Sequence, residues 1–320
     1  MATPSATDAV LLQPPSRLGD RVFKGLTLAM GLSVIALMLL VGLTLYQNSR
    51  LAIRKFGWHF LTTSTWDPVQ EVYGALPFIY GTVVSSALAL LIAVPMGIAT
   101  AVYLTELAPL RLRQPIVSVI EMLAAVPSVI FGLWGIFVMI PWLRGHLFPG
   151  LQAGLGFLPL FQGPIYGVSM LAAGIVIAIM ILPIVTSVSR EILRSVPDVQ
   201  REAAYALGAT RWEVTRIAVL SYAKRGLFGA CVLGLGRALG ETMAVTMVIG
   251  NRPEIAASLF APGHTLASVI ANEFSEATTD LYLSALFEIG LVLFGVTILT
   301  NMLARLLIYS TAGSTAARTA

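Results

Sequence analysis

Six long apolar stretches constrain the fold of this chain more than any other feature of its sequence. Each has about 20 or more residues with few charges, the length that an α-helix needs to cross the roughly 30 Å hydrocarbon core of a bilayer. A helix satisfies its own backbone hydrogen bonds in an environment that has no water. We therefore predict an all-α fold, a polytopic transmembrane helical bundle with six spans at 25–46, 76–104, 116–141, 165–188, 226–250 and 281–309.

The amino-acid composition excludes a water-soluble protein. Hydrophobic residues make up 57% of the chain, charged residues 11%, and the mean hydropathy is +0.85, whereas soluble domains carry roughly 25% charged residues. The three histidines lie far apart and Cys231 is the single cysteine, so we expect no metal site, no cofactor and no intrachain disulfide. No basic cluster with interleaved aromatic residues favours nucleic-acid binding. The chain has no G-x-x-x-x-G-K-[ST] sequence, so it is not expected to be an enzyme that hydrolyses ATP.

The distribution of Lys and Arg predicts the topology. Fourteen of these residues fall in the N-terminus, in the loops after spans two and four and in the C-terminus, and five fall on the other side. Because cytoplasmic loops carry the excess of positive charge, both termini are expected in the cytoplasm. The predicted organisation is a tail at 1–24, a six-span domain at 25–309 and a tail at 310–320. The first span lacks an A-x-A cleavage sequence and is not expected to be a signal peptide.

Prolines and glycines within the spans indicate a packed bundle. Pro95, Pro127 and Pro183 lie inside predicted spans two, three and four, where neighbouring helices are expected to satisfy the carbonyl groups that each proline frees. Gly236 and Gly240 form a G-x-x-x-G face, which is typical of a close approach between two membrane helices.

The loop at 189–225 is the most charged part of the chain, and its sequence predicts two helices joined by a glycine turn. Ser195 is expected to cap the first helix, and Gly208 is the expected left-handed stop. Thr210 with Glu213 three residues later predicts a capping box for the second helix. The plain alternative is a solvated connector between spans. An apolar stripe at helical spacing gives the first helix a face for a partner: Val199, Ala203 and Ala206.

Besides Arg305, which lies at the C-terminal end of span six and is counted with the C-terminus, four charged residues fall inside the predicted spans: Glu121, Arg237, Glu241 and Glu288. Each is costly in hydrocarbon, which favours a function or a defined partner. Arg237 and Glu241 are four residues apart near the middle of span five, so they are predicted to share a helix face and to pair. The pair is interpreted either as a structural salt bridge or as part of a substrate path, in which the guanidinium offers an oxyanion a place to shed water. Glu121 and Glu288 are left open between structural and functional roles.

The charged loop also carries a family resemblance. The sequence Glu202-Ala203-Ala204 followed by Gly208 resembles the EAA loop of ABC importer permeases. In that family the loop docks a short helix into a cleft of a cytoplasmic ATPase. The family's isoleucine ten residues after the glycine is Ala218 here, and its Leu-Pro pair is Leu220-Ser221, so the leucine matches and the proline is absent. The absence of the proline implies that the helix after the loop continues with a weaker break than usual.

Three longer blocks make the resemblance more specific. The blocks at 74–82, 125–135 and 236–245, with Gly250-Asn251 after the last, are similar to the PstC-type permease family of bacterial phosphate ABC importers. Membership implies the type I ABC importer permease architecture in the bacterial cytoplasmic (inner) membrane, and inward transport of phosphate driven by ATP hydrolysis on other chains. The implied partners are a second, PstA-like permease subunit as heterodimer, two PstB-like ATP-binding subunits and an extracytoplasmic PstS-like phosphate-binding protein.

The resemblance also implies roles for individual residues. Arg237 and Glu241 carry over as charges of the substrate pathway, and the EAA residues with Gly208 as the ATPase contact. Two alternatives remain open at this point: a permease for another oxyanion, sulfate or molybdate, with the same loop, or a stand-alone secondary transporter.

The segment 47–75 and the loop 251–280 are predicted to lie on the outer face. Trp58, Phe60 and Trp66 in the first are interpreted as aromatic residues of the membrane interface, with contact to a binding protein as the alternative. The second is acidic, and the sequence gives it no defined role.

Overall fold

The computed structural model describes residues 17–316, and within this range six helices are long and apolar enough to cross a membrane. This confirms the predicted six-span helical bundle. The six helices are Gly19–Asn48, Leu76–Leu107, Ser128–Leu155, Met170–Arg194, Arg211–Leu239 and Asp280–Leu306. The tail at 1–16 and the last four residues lie outside the described part of the chain.

The chain divides into two units, one ending at Gln47 and the other beginning at Asn48. The first described helix starts at Arg17, eight residues before the predicted span, and it carries no charged side chain from Gly25 to its end at Asn48, as expected of a membrane span. The α-helices in chain order are α1 (Arg17–Asn48), α2 (Arg50–Phe56), α3 (His59–Thr62), α4 (Leu76–Val102), α5 (Leu110–Ala125), α6 (Ser128–Trp134), α7 (Ile140–Trp142), α8 (Phe148–Leu155), α9 (Met170–Arg194), α10 (Asp198–Ala206), α11 (Arg211–Glu213), α12 (Ser221–Leu239), α13 (Met243–Val248), α14 (Leu266–Glu273) and α15 (Asp280–Ala316).

Short π-helical segments join several of these helices into continuous rods. Tyr103–Leu107 extends α4, and Val214–Leu220 joins α11 to α12. The expectation that the helix after the charged loop continues without a sharp break is therefore confirmed. Two further π-helical segments, Gly135–Met139 and Leu143–Leu147, join α6, α7 and α8 into the third span.

The third span begins later than the sequence predicts. Val126 and Pro127 have extended backbone angles, with ψ of 128° and 140°, so α5 ends before them and α6 begins after them. A proline pushes the preceding residue out of the helical region, which explains the break. The placement of Pro127 inside a span was wrong, whereas Pro95 and Pro183 do lie inside α4 and α9.

The fifth span is also displaced along the sequence. It runs from Arg211 to Leu239 instead of 226–250, and three non-helical residues separate it from α13. Gly240 stands at this break with φ −92° and ψ 1°, and glycine is among the least favourable residues for continuing a helix. The second half of the predicted loop 189–225 is thus the first part of a membrane helix.

The helix α9 forms the centre of the bundle. Two-thirds of its most apolar window is buried, a larger share than for any other membrane-length helix of the described chain. It packs on α4 and α12 at Val185, because a Cβ added at Gly97 or at Gly234 would lie 2.9 Å from a Val185 methyl group. Gly236, by contrast, has no neighbouring atom within 4 Å of such a Cβ. The predicted close approach at Gly236 and Gly240 is therefore made at Gly234 instead.

A buried aromatic cluster closes the bundle on the side opposite the charged loop. Trp66 and Tyr73 meet edge to face at 4.9 Å, and Tyr73 stacks on Tyr282 at 5.4 Å. The Glu273 carboxylate accepts hydrogen bonds from Trp66 Nε1 at 2.7 Å and from the Tyr282 hydroxyl at 2.6 Å. The interface interpretation of Trp66 was therefore wrong. The same holds for Phe60, which is fully buried in this cluster.

A loop before α14 locks into α4 on the same side. The Leu266 amide donates to Thr82 Oγ1 at 2.9 Å, and His264 Nδ1 lies 2.7 Å from Ser268 Oγ. The His264 ring meets Phe78 edge to face and is only 2% exposed. This burial lowers the pKa of His264 from 6.5 to about 4.

Substituting two glycines of α12 tests the packing at Val185. Gly234→Ala places a methyl group against the stiff, β-branched Val185 and should destabilise the protein by about 1–3 kcal/mol. Gly236→Ala, two residues away in open space, gains helix propensity without a contact and should leave stability equal or higher. Thermal unfolding of the two purified variants measures the difference, and equal melting temperatures would contradict this packing.

The depressed pKa of His264 predicts a loss of stability in acid. The unfolded state binds a proton below pH 6.5, whereas the folded state does so only near pH 4, so stability is complete above pH 6.5 and falls as the pH is lowered toward 4. The total loss is roughly 3 kcal/mol at 1.4 kcal/mol per pKa unit. Melting temperatures between pH 7 and 4.5 should depend less on pH in His264→Asn than in the wild type. His59→Asn, which removes an exposed histidine, is the control substitution.

Candidate functional site

The connection between the fourth and fifth spans contains the predicted glycine turn and the predicted capping box. The predicted cap at its first helix is not formed. We call residues 195–210 the loop segment. Gly208 has a φ of +83°, the predicted left-handed stop. Thr210 and Glu213 form the predicted capping box, with Glu213 Oε2 accepting from the Thr210 amide at 2.8 Å. Ser195, however, does not cap α10, because Pro197 holds that position and the Ser195 hydroxyl donates to the Ile192 carbonyl.

Arg201 anchors the loop segment to the rest of the bundle, and the sequence analysis did not identify it as a site residue. Its guanidinium donates to Glu106 Oε1 at 3.1 Å and to Asp198 Oδ1 at 3.0 Å. It also donates to the carbonyls of Val196 at 2.6 Å and Leu193 at 3.0 Å. The ion pair with Glu106 is mostly buried, with 17% of the arginine and 13% of the glutamate side chain exposed. A partner 95 residues away leaves no signal in the local sequence.

The outer face of the loop segment is exposed and mixes large apolar side chains with polar ones. Val199 is 71% exposed and Leu207 89% exposed. The candidate residues Glu202 and Ala203 are exposed on α10, while Ala204 is half-buried. Since Arg201 holds the opposite face, the segment presents a preformed surface for another molecule.

The predicted ion pair between Arg237 and Glu241 is not formed. Arg237 lies in the last turn of α12, while Glu241 lies beyond its end in the break before α13. Glu241 Oε1 instead accepts from the Ala244 amide at 3.4 Å, at the first turn of α13. Arg237 is exposed on the surface of the chain and forms no ion pair with any residue in 17–316.

The depth of Arg237 follows from the packing of α12 on α9. Gly234 contacts Val185, which is nine residues, or about 14 Å, from the end of α9 at the loop segment. The two helices are antiparallel, so Arg237 lies roughly 18 Å from that end, near the middle of a 30 Å hydrocarbon layer. A guanidinium at this depth must face water or another protein rather than lipid.

A second helix break lies close to the one at Gly240. The helix α6, which begins after Pro127, packs on α13, since a Cβ at Gly132 would meet Met247 Sδ and the Ala244 backbone. Non-helical backbone at membrane depth is tolerated where it is buried in protein or lines a water-filled cavity. Two helix breaks and an arginine without an ion pair in 17–316 therefore lie in the same part of the structure.

The two remaining ionisable residues lie in different surroundings. Glu121 is exposed on α5, outside the six membrane-length helices, so its predicted place in a span was wrong. Glu288 lies in the last membrane-length helix, as predicted, and is 6% exposed.

Comparisons with known proteins agree on the kind of protein to which this architecture corresponds. Residues 93–311 match the family described as binding-protein-dependent transport system inner membrane component. The chain is 48% identical over 292 residues, 90% of its length and 89% of the relative's, to the phosphate transport system permease protein PstC of Mesorhizobium japonicum. It is 47% identical to the protein of the same name from Haemophilus influenzae, over 90% of this chain and 93% of that one.

Solved structures show the same fold. An inward-facing structure of the MetNI methionine ABC transporter aligns with a TM-score of 0.51 and 17% identity. The alignment covers 74% of this chain and 94% of that chain. The expected ABC importer permease architecture is thereby confirmed.

Removing the anchor of the loop segment should loosen it. Arg201→Gln loses the charge that compensates Glu106, which should cost roughly 2–4 kcal/mol locally because both groups are mostly buried. Hydrogen exchange of the amides in 198–206 should therefore become faster. Arg194→Gln is the matched control, since Arg194 is exposed at the end of α9 that leads into the loop segment. Unchanged exchange in Arg201→Gln would contradict the anchoring role.

Proposed function

This chain belongs to the family of binding-protein-dependent transport system inner membrane components, and we propose that it is the permease subunit of an ATP-driven phosphate importer. The observation that carries the substrate is the identity of 48% over 90% of the chain to a protein named phosphate transport system permease. The alignment also covers 89% of that relative, so the proposal applies to the whole membrane domain. The chain forms half of the translocation pathway, and a second, PstA-like permease subunit supplies the other half.

Arg237 is the residue proposed to meet phosphate in the membrane. A guanidinium is always charged and donates paired hydrogen bonds that match phosphate oxygens. The exposed face of α12 carries Leu233 and Arg237, and the exposed Gly240 directly follows the helix. This face requires a water-filled path or a second subunit beside it. Because no described carboxylate competes for Arg237, an oxyanion that has lost part of its hydration shell gains a direct contact there.

In this proposal Glu241 does not pair with Arg237 but holds the start of α13. Its carboxylate accepts from the Ala244 amide and supports the start of α13 next to the break. A carboxylate at the start of a helix is stabilised by the unpaired amide groups there. Glu241 therefore shapes the pathway at Gly240 and adds a negative charge that keeps phosphate from binding too tightly.

The loop segment is proposed to dock on a PstB-like ATP-binding subunit. Glu202, Ala203, Ala204 and Gly208 make up the contact surface, with Val199 as an exposed apolar anchor. ATP hydrolysis takes place on those partner subunits, and this chain is non-catalytic. The loop segment and both termini face the cytoplasm, and the opposite side receives phosphate from a PstS-like binding protein.

Transport by the reconstituted importer tests this proposal. The complete complex is placed in vesicles with trapped ATP, and phosphate uptake is measured in the presence of the binding protein. Arg237→Gln should lower uptake at least tenfold, about the effect of losing one hydrogen bond to a charged group, while ATP hydrolysis continues. Arg252→Gln removes an exposed arginine outside the membrane-length helices and should leave uptake unchanged.

Each rival function gives a different result in the same assay. Uptake of sulfate or molybdate, without uptake of phosphate, would identify an importer for a different oxyanion. Phosphate movement by this chain without the ATP-binding subunits would identify a secondary transporter. Normal uptake by Arg237→Gln would leave Arg237 as a structural residue only.

A further inference from the structure

A groove on the side of the bundle opposite the loop segment contains a buried carboxylate that the transport pathway does not use. The groove lies between α15 and the junction of α2 and α3, and its volume is about 340 Å³, the room of roughly ten water molecules. Glu288 lies in its wall. We call it the Glu288 groove. The other residues that line it are Ile53, Gly57, Trp58, Leu61, Leu291 and Val292.

Glu288 has no partner that explains its burial. The residue is 6% exposed, and its Oε2 atom is buried without a hydrogen bond to any described residue. A buried carboxyl group without a partner is strongly unfavourable. The other groove residues have apolar side chains or, like Gly57, none, so a water cluster would find few hydrogen bonds there. A ligand that brings a donor, ideally a cation, would satisfy the exposed part of this carboxyl group.

An exposed cation is adjacent in the sequence of α2 to a groove residue. Arg54 lies on α2 between the groove residues Ile53 and Gly57, is exposed, and forms no ion pair within the described chain. The neighbouring Lys55 pairs with Glu71 at 3.6 Å. The groove thus has an acid in its wall, and the exposed cation Arg54 directly follows the lining residue Ile53 on α2.

Glu288 lies in the first third of the last membrane-length helix, Asp280–Leu306. Glu288 is eight residues, or about 12 Å, from the start of α15 at Asp280. Trp58 is 86% exposed at the groove, and exposed tryptophans are enriched at the membrane interface. This exposure is compatible with the interface interpretation made from the sequence, which stays a prediction for this tryptophan.

We propose that the Glu288 groove binds one phospholipid with a primary-amine headgroup, of the phosphatidylethanolamine class. The headgroup ammonium donates to Glu288, the phosphate lies toward Arg54, and an acyl chain lies along Leu291 and Val292. The headgroup of an anionic lipid such as phosphatidylglycerol brings only neutral hydroxyl donors to Glu288, and a free organic cation brings no anion for Arg54. A zwitterionic headgroup complements both charges at once.

Lipid binding by the purified transporter tests this inference. The complete complex in mild detergent is titrated with phosphatidylethanolamine, phosphatidylcholine and phosphatidylglycerol that carry the same acyl chains, and bound lipid is counted by native mass spectrometry. The wild type should bind one phosphatidylethanolamine about tenfold more tightly than the other two, and Glu288→Gln should lose this preference. Glu276→Gln removes an exposed acid on the same side and should keep it.

The wild-type comparison alone decides the question if a variant fails to assemble. Phosphatidylcholine differs from phosphatidylethanolamine only in the methylated amine, so equal affinity for the two would overturn the proposal. Retention of none of the three lipids would mean that protein fills the groove, which also overturns it. Leu291→Trp fills the groove while keeping Glu288, and it should abolish the bound lipid. Phosphate uptake is not the measurement, so failure here is distinguishable from failure of the transport function.

Discussion

The contact of Val185 with Gly97 and Gly234 positions both functional regions of this protein. It brings α4 and α12 against α9 at a distance that only a glycine on each side permits. Because helices are stiff, this contact determines how far Arg237 lies from the end of α9. It also determines where the loop segment lies at that end. In a bilayer, where no hydrophobic force drives helices together, such close packing is a main source of stability.

A continuous helix then connects the two regions. From Arg211 the chain passes through a π-helical segment and α12 to Leu239 without an interruption. The loop segment is held at one end by the Arg201–Glu106 ion pair, and Arg237 lies in the last turn at the other end. In the proposed function, a movement imposed on the loop segment by an ATP-binding subunit reaches the break at Gly240 through this rod. The break itself can change conformation because its residues are not tied into a helix.

The sequence predicted what depends on neighbouring residues and missed what depends on distant ones. The six spans, the stop at Gly208 and the capping box at Thr210 follow from composition and short spacings, and the structure confirms them. The break at Gly240 was missed because the hydrophobicity of 226–250 continues across it. The Arg237–Glu241 spacing then predicted a pair that exists only if the helix is unbroken.

The same limit explains the other differences. Glu106 and Arg201 are 95 residues apart, so no local pattern predicts their ion pair. Trp66 was interpreted as an interface residue because tryptophan is common there, whereas Glu273, more than 200 residues later, satisfies its indole N–H in a buried cluster. A resemblance to a family indicated which residues to consider, and the structure gave them different neighbours from those expected.

The central claim is that the break at Gly240 lines a water-filled path for an oxyanion, and the reactivity of a cysteine placed there tests it most directly. In a Cys231→Ser background, Gly240→Cys in the assembled transporter is exposed to a small, membrane-impermeant anionic thiol reagent. The account predicts a reaction that phosphate slows and that a neutral molecule of similar size does not. Reaction with lipid-soluble reagents alone would mean that this face of α12 lies against lipid, and it would contradict the account.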